Sequence, residues 1–129
     1  MKLSINAKYL EELRDSYGEG EKNTISSGYG YHQKAFSFMP AQYVILANSD
    51  KMTLITLSGL TLNVKSTDTY TRSDLSKIKA KRAFMGKIFE ITSNEGKKIK
   101  FRINKTVFGI TKYQESIIEK LNQFSNCYS

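Results

Sequence analysis

With 129 residues, 40% of them hydrophobic and 25% charged, the chain has the size and composition of one globular domain with an ordinary core, which excludes global disorder. A formal net charge of +8 and a pI near 9.5 favour acidic partners: nucleic acid, anionic lipid or an acidic protein face. The single cysteine, Cys127, excludes an internal disulfide, and no stretch approaches the ~18 uninterrupted apolar residues of a membrane-spanning helix.

The first segment reads as a helix over residues 1–18. Leu3, Ala7, Leu10, Leu13 and Tyr17 recur at near-helical spacing, Ser4 or Asn6 is placed to cap the start, and Gly18 and Gly20 stop it. Glu11 and Glu12 arrive early and no apolar core precedes them, so no secretory signal is read. A cytoplasmic location is expected, with peripheral attachment at the inner membrane face as its variant. Residues 18–30 are rich in Gly, Ser and charge and read as loop.

The period then becomes strand-like. Tyr29, Tyr31, Phe36 and Phe38 alternate with small or polar residues and suggest an aromatic strand face that Pro40 interrupts. The apolar runs Gln42 to Ala47 and Met52 to Leu57, separated by Asn48, Ser49, Asp50 and Lys51, predict a hairpin. Leu60, Leu62 and Val64 alternate as a further short strand, and Ser66 to Thr71 reads as a loop or an edge strand. Three more strands follow from the alternation around Ile78, around Phe89 and Ile91, and around Ile99, Phe101 and Ile103. The turn Ser93-Asn94-Glu95-Gly96 joins the last two, with Gly96 free to take a left-handed conformation. Thr111 followed by Gln114 has the form of a capping box, and Tyr113, Ile117, Leu121 and Phe124 form one helical stripe. The expected core is Tyr43, Ile45, Leu54, Ile55, Leu62, Ile78, Phe89, Ile91, Ile99, Phe101, Ile103, Ile117, Leu121 and Phe124.

Charge is concentrated in the late strands. Residues 77–105 hold ten bases against two acids and so carry the whole net charge, while the rest of the chain balances. A period of two places Lys77, Lys79 and Lys81 on one strand face, and Lys98, Lys100 and Arg102 on another. If both faces point outward they form one basic patch; the alternative is a solvated sheet face, where lysine also discourages edge pairing. Tyr29 and Tyr31 are the candidate interface aromatics. His32 is the only histidine, too few ligands for zinc. No Ser/His/Asp, Cys/His or paired-carboxylate arrangement stands out and no Walker pattern is present, so neither an enzyme, a cofactor nor a small-molecule substrate is inferred.

Helix, loop, about seven antiparallel strands and a closing amphipathic helix: this order resembles the pleckstrin-homology superfold. Thr71 to Lys105, TRSDLSKIKAKRAFMGKIFEITSNEGKKIKFRINK, is similar to the late strands of bacterial PH-like domains, and TKYQESIIEKLNQF follows as their helix does. YGEGEKNTISSGYGYHQ and QYVILANSDKMTLITLSGL resemble their start. The likeness runs from about Glu19 to Phe124. Unlike eukaryotic members the chain has no Trp, and its Lys98, Lys100, Arg102 series lies on a late strand rather than the first hairpin. The resemblance implies a mainly β barrel or sandwich over residues 19–110, a C-terminal helix over 111–125 and an added N-terminal helix over 1–18. It also implies a non-catalytic binding or adaptor module. Recognition of a protein partner is the first expectation and attachment to anionic lipid through the basic patch the second, with self-association open. Nucleic acid is disfavoured, because lysine outnumbers arginine in the patch and Phe101 falls on the apolar face.

Overall fold

Asn6 sets the start of the first helix, α1 (Ala7–Tyr17): its Oδ1 accepts the Tyr9 N–H at 2.8 Å. Leu3 and the alternative cap Ser4 lie outside the described residues, which are 5–18, 20–32, 41–59 and 61–126 of this computed structural model. Phe36, Phe38, Pro40, Leu60 and Cys127 lie outside them too. Gly18 closes α1 by donating its N–H to the Arg14 carbonyl at 2.9 Å.

Seven strands follow: β1 (Ser26–His32), β2 (Ala41–Ala47), β3 (Lys51–Leu57), β4 (Val64–Thr71), β5 (Leu75–Ala83), β6 (Gly86–Ser93) and β7 (Lys98–Asn104). The helix α2 (Thr111–Asn126) ends the described chain. The strands form one antiparallel sheet of order β4-β3-β2-β1-β7-β6-β5. Gly96 takes φ +89° in the β6–β7 turn, where a side chain would be strained.

Alternation decides which side chains meet. Ile45, Ala47, Met52 and Leu54 from β2 and β3 join Ile78, Phe89, Ile91, Phe101 and Ile103 from β5, β6 and β7 in one buried cluster. The two halves of the sheet therefore fold over each other, and Ile117, Leu121 and Phe124 of α2 fill the end. Seven antiparallel strands with a C-terminal helix and an added N-terminal helix is the architecture that the sequence resemblance implies. Among the expected core residues Tyr43 and Ile99 are half-buried and the others are buried.

The strands β2 and β3 are covered on both faces. Val44, Leu46, Ile55 and Leu57 point away from the barrel interior and pack with Tyr9, Leu10, Leu13, Ile25, Leu62 and Ile110 in a second cluster. That explains why the two runs read as continuously apolar rather than alternating. The helix α1 thus docks on its own barrel. The Tyr9 hydroxyl donates to the Leu62 carbonyl, and the Tyr113 hydroxyl donates to the Glu11 carboxylate at 2.8 Å. Tyr9, not Tyr17, completes the buried stripe of α1.

Three local expectations are corrected. Residues 26–30, read as loop, belong to β1. Leu62 does not belong to a strand: it sits at φ +60° in the β3–β4 connection, turned into the cluster beneath α1, and the strand begins at Val64. Residues 66–71 are the rest of that strand, at the sheet edge. Thr111 and Gln114 form no capping box. The Thr111 hydroxyl donates back to the Val107 carbonyl at 3.1 Å, and the Gln114 side chain is committed elsewhere.

That commitment closes the sheet. The strands β1 and β7 share a single register pair, Tyr31 with Arg102. Beyond it, the fully buried Gln114 bridges the seam. Its Oε1 accepts the Tyr29 N–H at 2.7 Å, and its Nε2 donates to the Tyr29 carbonyl at 2.9 Å and the Asn104 carbonyl at 3.0 Å. Next to it, α2 lies so close to β1 that a Cβ on Gly28 would fall 2.9 Å from Ile117 Cβ. Gly28→Ala should therefore cost about 2 kcal/mol by overpacking, read as a lowered urea midpoint at unchanged slope.

Candidate anionic-surface site

The pairing register of β5, β6 and β7 settles where the bases point. Ile78, Ile91 and Ile99 share one row and Ala80, Phe89 and Phe101 the next; Phe89 and Phe101 are fully buried, so these rows lie on the inner side, although Ala80 at the sheet edge is left exposed. The alternate rows face outward. They are Lys77–Thr92–Lys98, Lys79–Glu90–Lys100 and Lys81–Ile88–Arg102. All six candidate bases therefore share one outer face, two strand spacings wide, about 10 Å, and about 13 Å long. The five lysines are exposed. Glu90 is the single carboxylate within the rows, and among the described residues the one ion pair is Arg14 with Asp15, on α1.

Arg102 differs from the lysines. It is half-buried; its Nε donates to Asn104 Oδ1 at 2.8 Å, and its terminal nitrogen donates to the Phe84 carbonyl. It braces the β5–β6 turn as well as adding charge.

The aromatic candidates join the same surface. Tyr31 is the register partner of Arg102, so the outward row continues across the seam onto β1. Tyr29 and Tyr31 stack with ring centroids 6.4 Å apart at 27°. Tyr31, His32, Ile88, Lys100 and Arg102 border a shallow hollow of about 310 Å³. Burial, and then the neighbouring Tyr31, push the Tyr29 hydroxyl up to about 12, so it stays a neutral donor, held to Gln42 Oε1 at 2.7 Å. Sequence reasoning treated the basic and aromatic candidates as separate; only the β1–β7 pairing, which has no local signature, makes them neighbours.

Around the corner, Arg82, Lys87 and Lys105 line a cleft whose other wall is Glu115 and Glu119 of α2, with Lys87 Nζ bonded to Asn122 Oδ1 at 3.1 Å. The Thr71 N–H and hydroxyl hold the Asp74 carboxyl below its ordinary value, and the pair closes the β4–β5 corner. Among the described residues no three His, Cys, Asp or Glu side chains gather as a metal site. Sequence reasoning also passed over Phe84 and Met85, which are exposed at the β5–β6 turn.

No family model matches the chain, and no curated protein matches it. Among solved structures it is similar to the N-terminal PH domain of human ARAP2, at TM-score 0.43 and 12% identity over 84% of this chain and 86% of that one. It is also similar to the DH/PH domains of PDZ-RhoGEF, in complex with RhoA activated by GTP-γ-S, at TM-score 0.48 and 13% identity over 96% of this chain. A third is the N-terminally truncated linker-DH/PH unit of p115-RhoGEF, at TM-score 0.45 and 10% identity over 93% of this chain. The chain spans 37% of each RhoGEF chain.

Proposed function

We propose that the protein is a non-catalytic binding module that attaches peripherally to anionic lipid surfaces through the outer face of β5, β6 and β7. The observation that carries this reading is the convergence of five exposed lysines and Arg102 on one sheet face around a single glutamate. Near an anionic leaflet each base contributes about 1 kcal/mol, a long-range term that salt screens. Lysine suits such diffuse attraction, because a point ammonium on a flexible stem needs no fixed bidentate partner. Among the described residues no helix is long and apolar enough to cross a membrane.

Sedimentation with vesicles of neutral phosphatidylcholine, and of phosphatidylcholine mixed with phosphatidylserine, tests this. The protein should bind the anionic vesicles and weaken as salt rises. Lys79→Gln/Lys81→Gln/Lys100→Gln should bind about a hundredfold less well, at roughly 1 kcal/mol per base. Arg102 is left intact because it braces Phe84. No binding, or equal binding to both vesicle types, overturns the reading; the first of these returns the face to protein recognition.

A further inference from the structure

The β5–β6 hairpin turns through two residues, Phe84 and Met85, between the paired Ala83 and Gly86. A turn this tight ordinarily carries Asn-Gly or Asp-Gly, because those residues tolerate its backbone. Here it carries two large apolar side chains, with Phe84 85% and Met85 57% exposed. Met85 takes φ +57°, a conformation that a side chain pays to adopt. The fold gains neither burial nor backbone ease from these residues. Strain and exposed apolar surface at one spot point to a role outside the fold.

The tip is also held firmly. Arg102 donates to the Phe84 carbonyl, and the Lys105 N–H donates to the Met85 carbonyl at 2.7 Å. Both tip residues are thus pinned by β7 and the residue that follows it. Bases predominate around it: Lys81 and Arg82 precede the tip, Lys87 follows it, and no acid lies within residues 81–87, the nearest acids being Glu115 and Glu119 across the cleft from Arg82, Lys87 and Lys105. Apolar side chains projecting beyond a cluster of bases match the depth profile of an anionic bilayer, where the phenyl ring and thioether enter the acyl boundary and the cationic groups stay among the phosphates.

We infer that the β5–β6 turn is a membrane-inserting tip, with Phe84 and Met85 entering the headgroup–acyl boundary of an anionic bilayer while Lys81, Arg82 and Lys105 hold its phosphates. This rests on the lipid reading of the adjoining sheet face and adds to it an apolar, salt-resistant component. It also gives an orientation. The tip lies deepest, and the Lys81–Arg102 row lies nearest the surface. Lys77 and Lys98, about 13 Å further along the strands, act by attraction at a distance.

The chain contains no Trp, so Phe84→Trp places a single indole at the tip, excited selectively at the red edge where the eight tyrosines do not absorb. On anionic vesicles its emission should shift to the blue and be quenched by lipids brominated in the acyl chain. Phe84→Asn/Met85→Gly supplies the residues this turn ordinarily uses, so its thermal midpoint should not fall. Its vesicle affinity should drop about tenfold through lost apolar burial, and at high salt it should lose the residual binding that the unaltered protein keeps. Sedimentation with anionic vesicles, but with water-like indole emission and an unweakened Asn-Gly variant, overturns the inserting tip and leaves the charged face standing. Insertion into neutral and anionic vesicles alike supports the tip and overturns the charged face. No sedimentation with any vesicle overturns both.

Discussion

Gln114→Leu is expected to lower stability by about 4 kcal/mol, although leucine fills nearly the same volume and α2 favours it as a helix former. The loss arises at the β1–β7 seam. With leucine in place the Tyr29 N–H has no acceptor, and the Tyr29 and Asn104 carbonyls lose their donor. Each buried backbone group left without a partner costs roughly 1–3 kcal/mol, and water cannot replace the amide where the side chain is fully buried. Gln114→Glu separates the two roles of that amide. An ionised carboxylate still accepts from Tyr29 but repels both carbonyls, whereas a protonated one can donate. Burial raises the carboxyl pKa in the folded state, so this variant should gain stability as pH falls and lose it as pH rises through that raised value. Urea unfolding followed by far-ultraviolet circular dichroism at two pH values reads both effects; an unchanged midpoint for Gln114→Leu would show that the seam holds without the bridge.

Leu10→Ala is expected to cost about 3 kcal/mol, the usual range for emptying a buried leucine site. Leu10 is fully buried against the outer face of β2 and β3, where it shares a cluster with Val44, Leu46, Ile55 and Leu57. None of these side chains belongs to the cluster inside the barrel. The substitution should therefore loosen α1 before the barrel yields. The check is limited trypsinolysis: cleavage at Arg14 should accelerate at urea concentrations where β-sheet dichroism is still intact. Simultaneous loss of both signals would mean that the two clusters melt as one unit.

Much of the architecture was legible because it follows from local period. Alternation around Phe89 and Phe101 placed β6 and β7, and the stripe Ile117, Leu121 and Phe124 placed α2. Errors occurred where a residue answers to a distant partner. Leu62 alternates with its neighbours yet turns into the cluster under α1, because the hydrophobic surface there outweighs strand pairing. Gln114 stands at a capping position but serves a strand 85 residues earlier. Val44 and Leu46 were read as strand residues without a destination, because nothing local says that a helix covers their face. For the candidate site the sequence displayed both lysine series, and it left open whether they share a face; the register of β6, which pairs with both neighbours, decides that they do. The merging of that face with Tyr31, and the bracing of Phe84 by Arg102, depend on pairings between distant segments and so had no periodic signal.

The second cluster also bears on the order in which the chain can mature as it leaves the ribosome. The helix α1 is made before the strands it docks on, yet at 11 residues it is too short to persist alone in water. Its docking surface, Val44, Leu46, Ile55 and Leu57, emerges only with the β2–β3 hairpin, and its anchors at Leu62 and Tyr113 later still. Until then the hairpin would present an apolar strand face on each side. The segment that becomes α1 is thus already available when the hairpin emerges, and docking there would fold the helix and cover one of those faces before α2 is made to close the other.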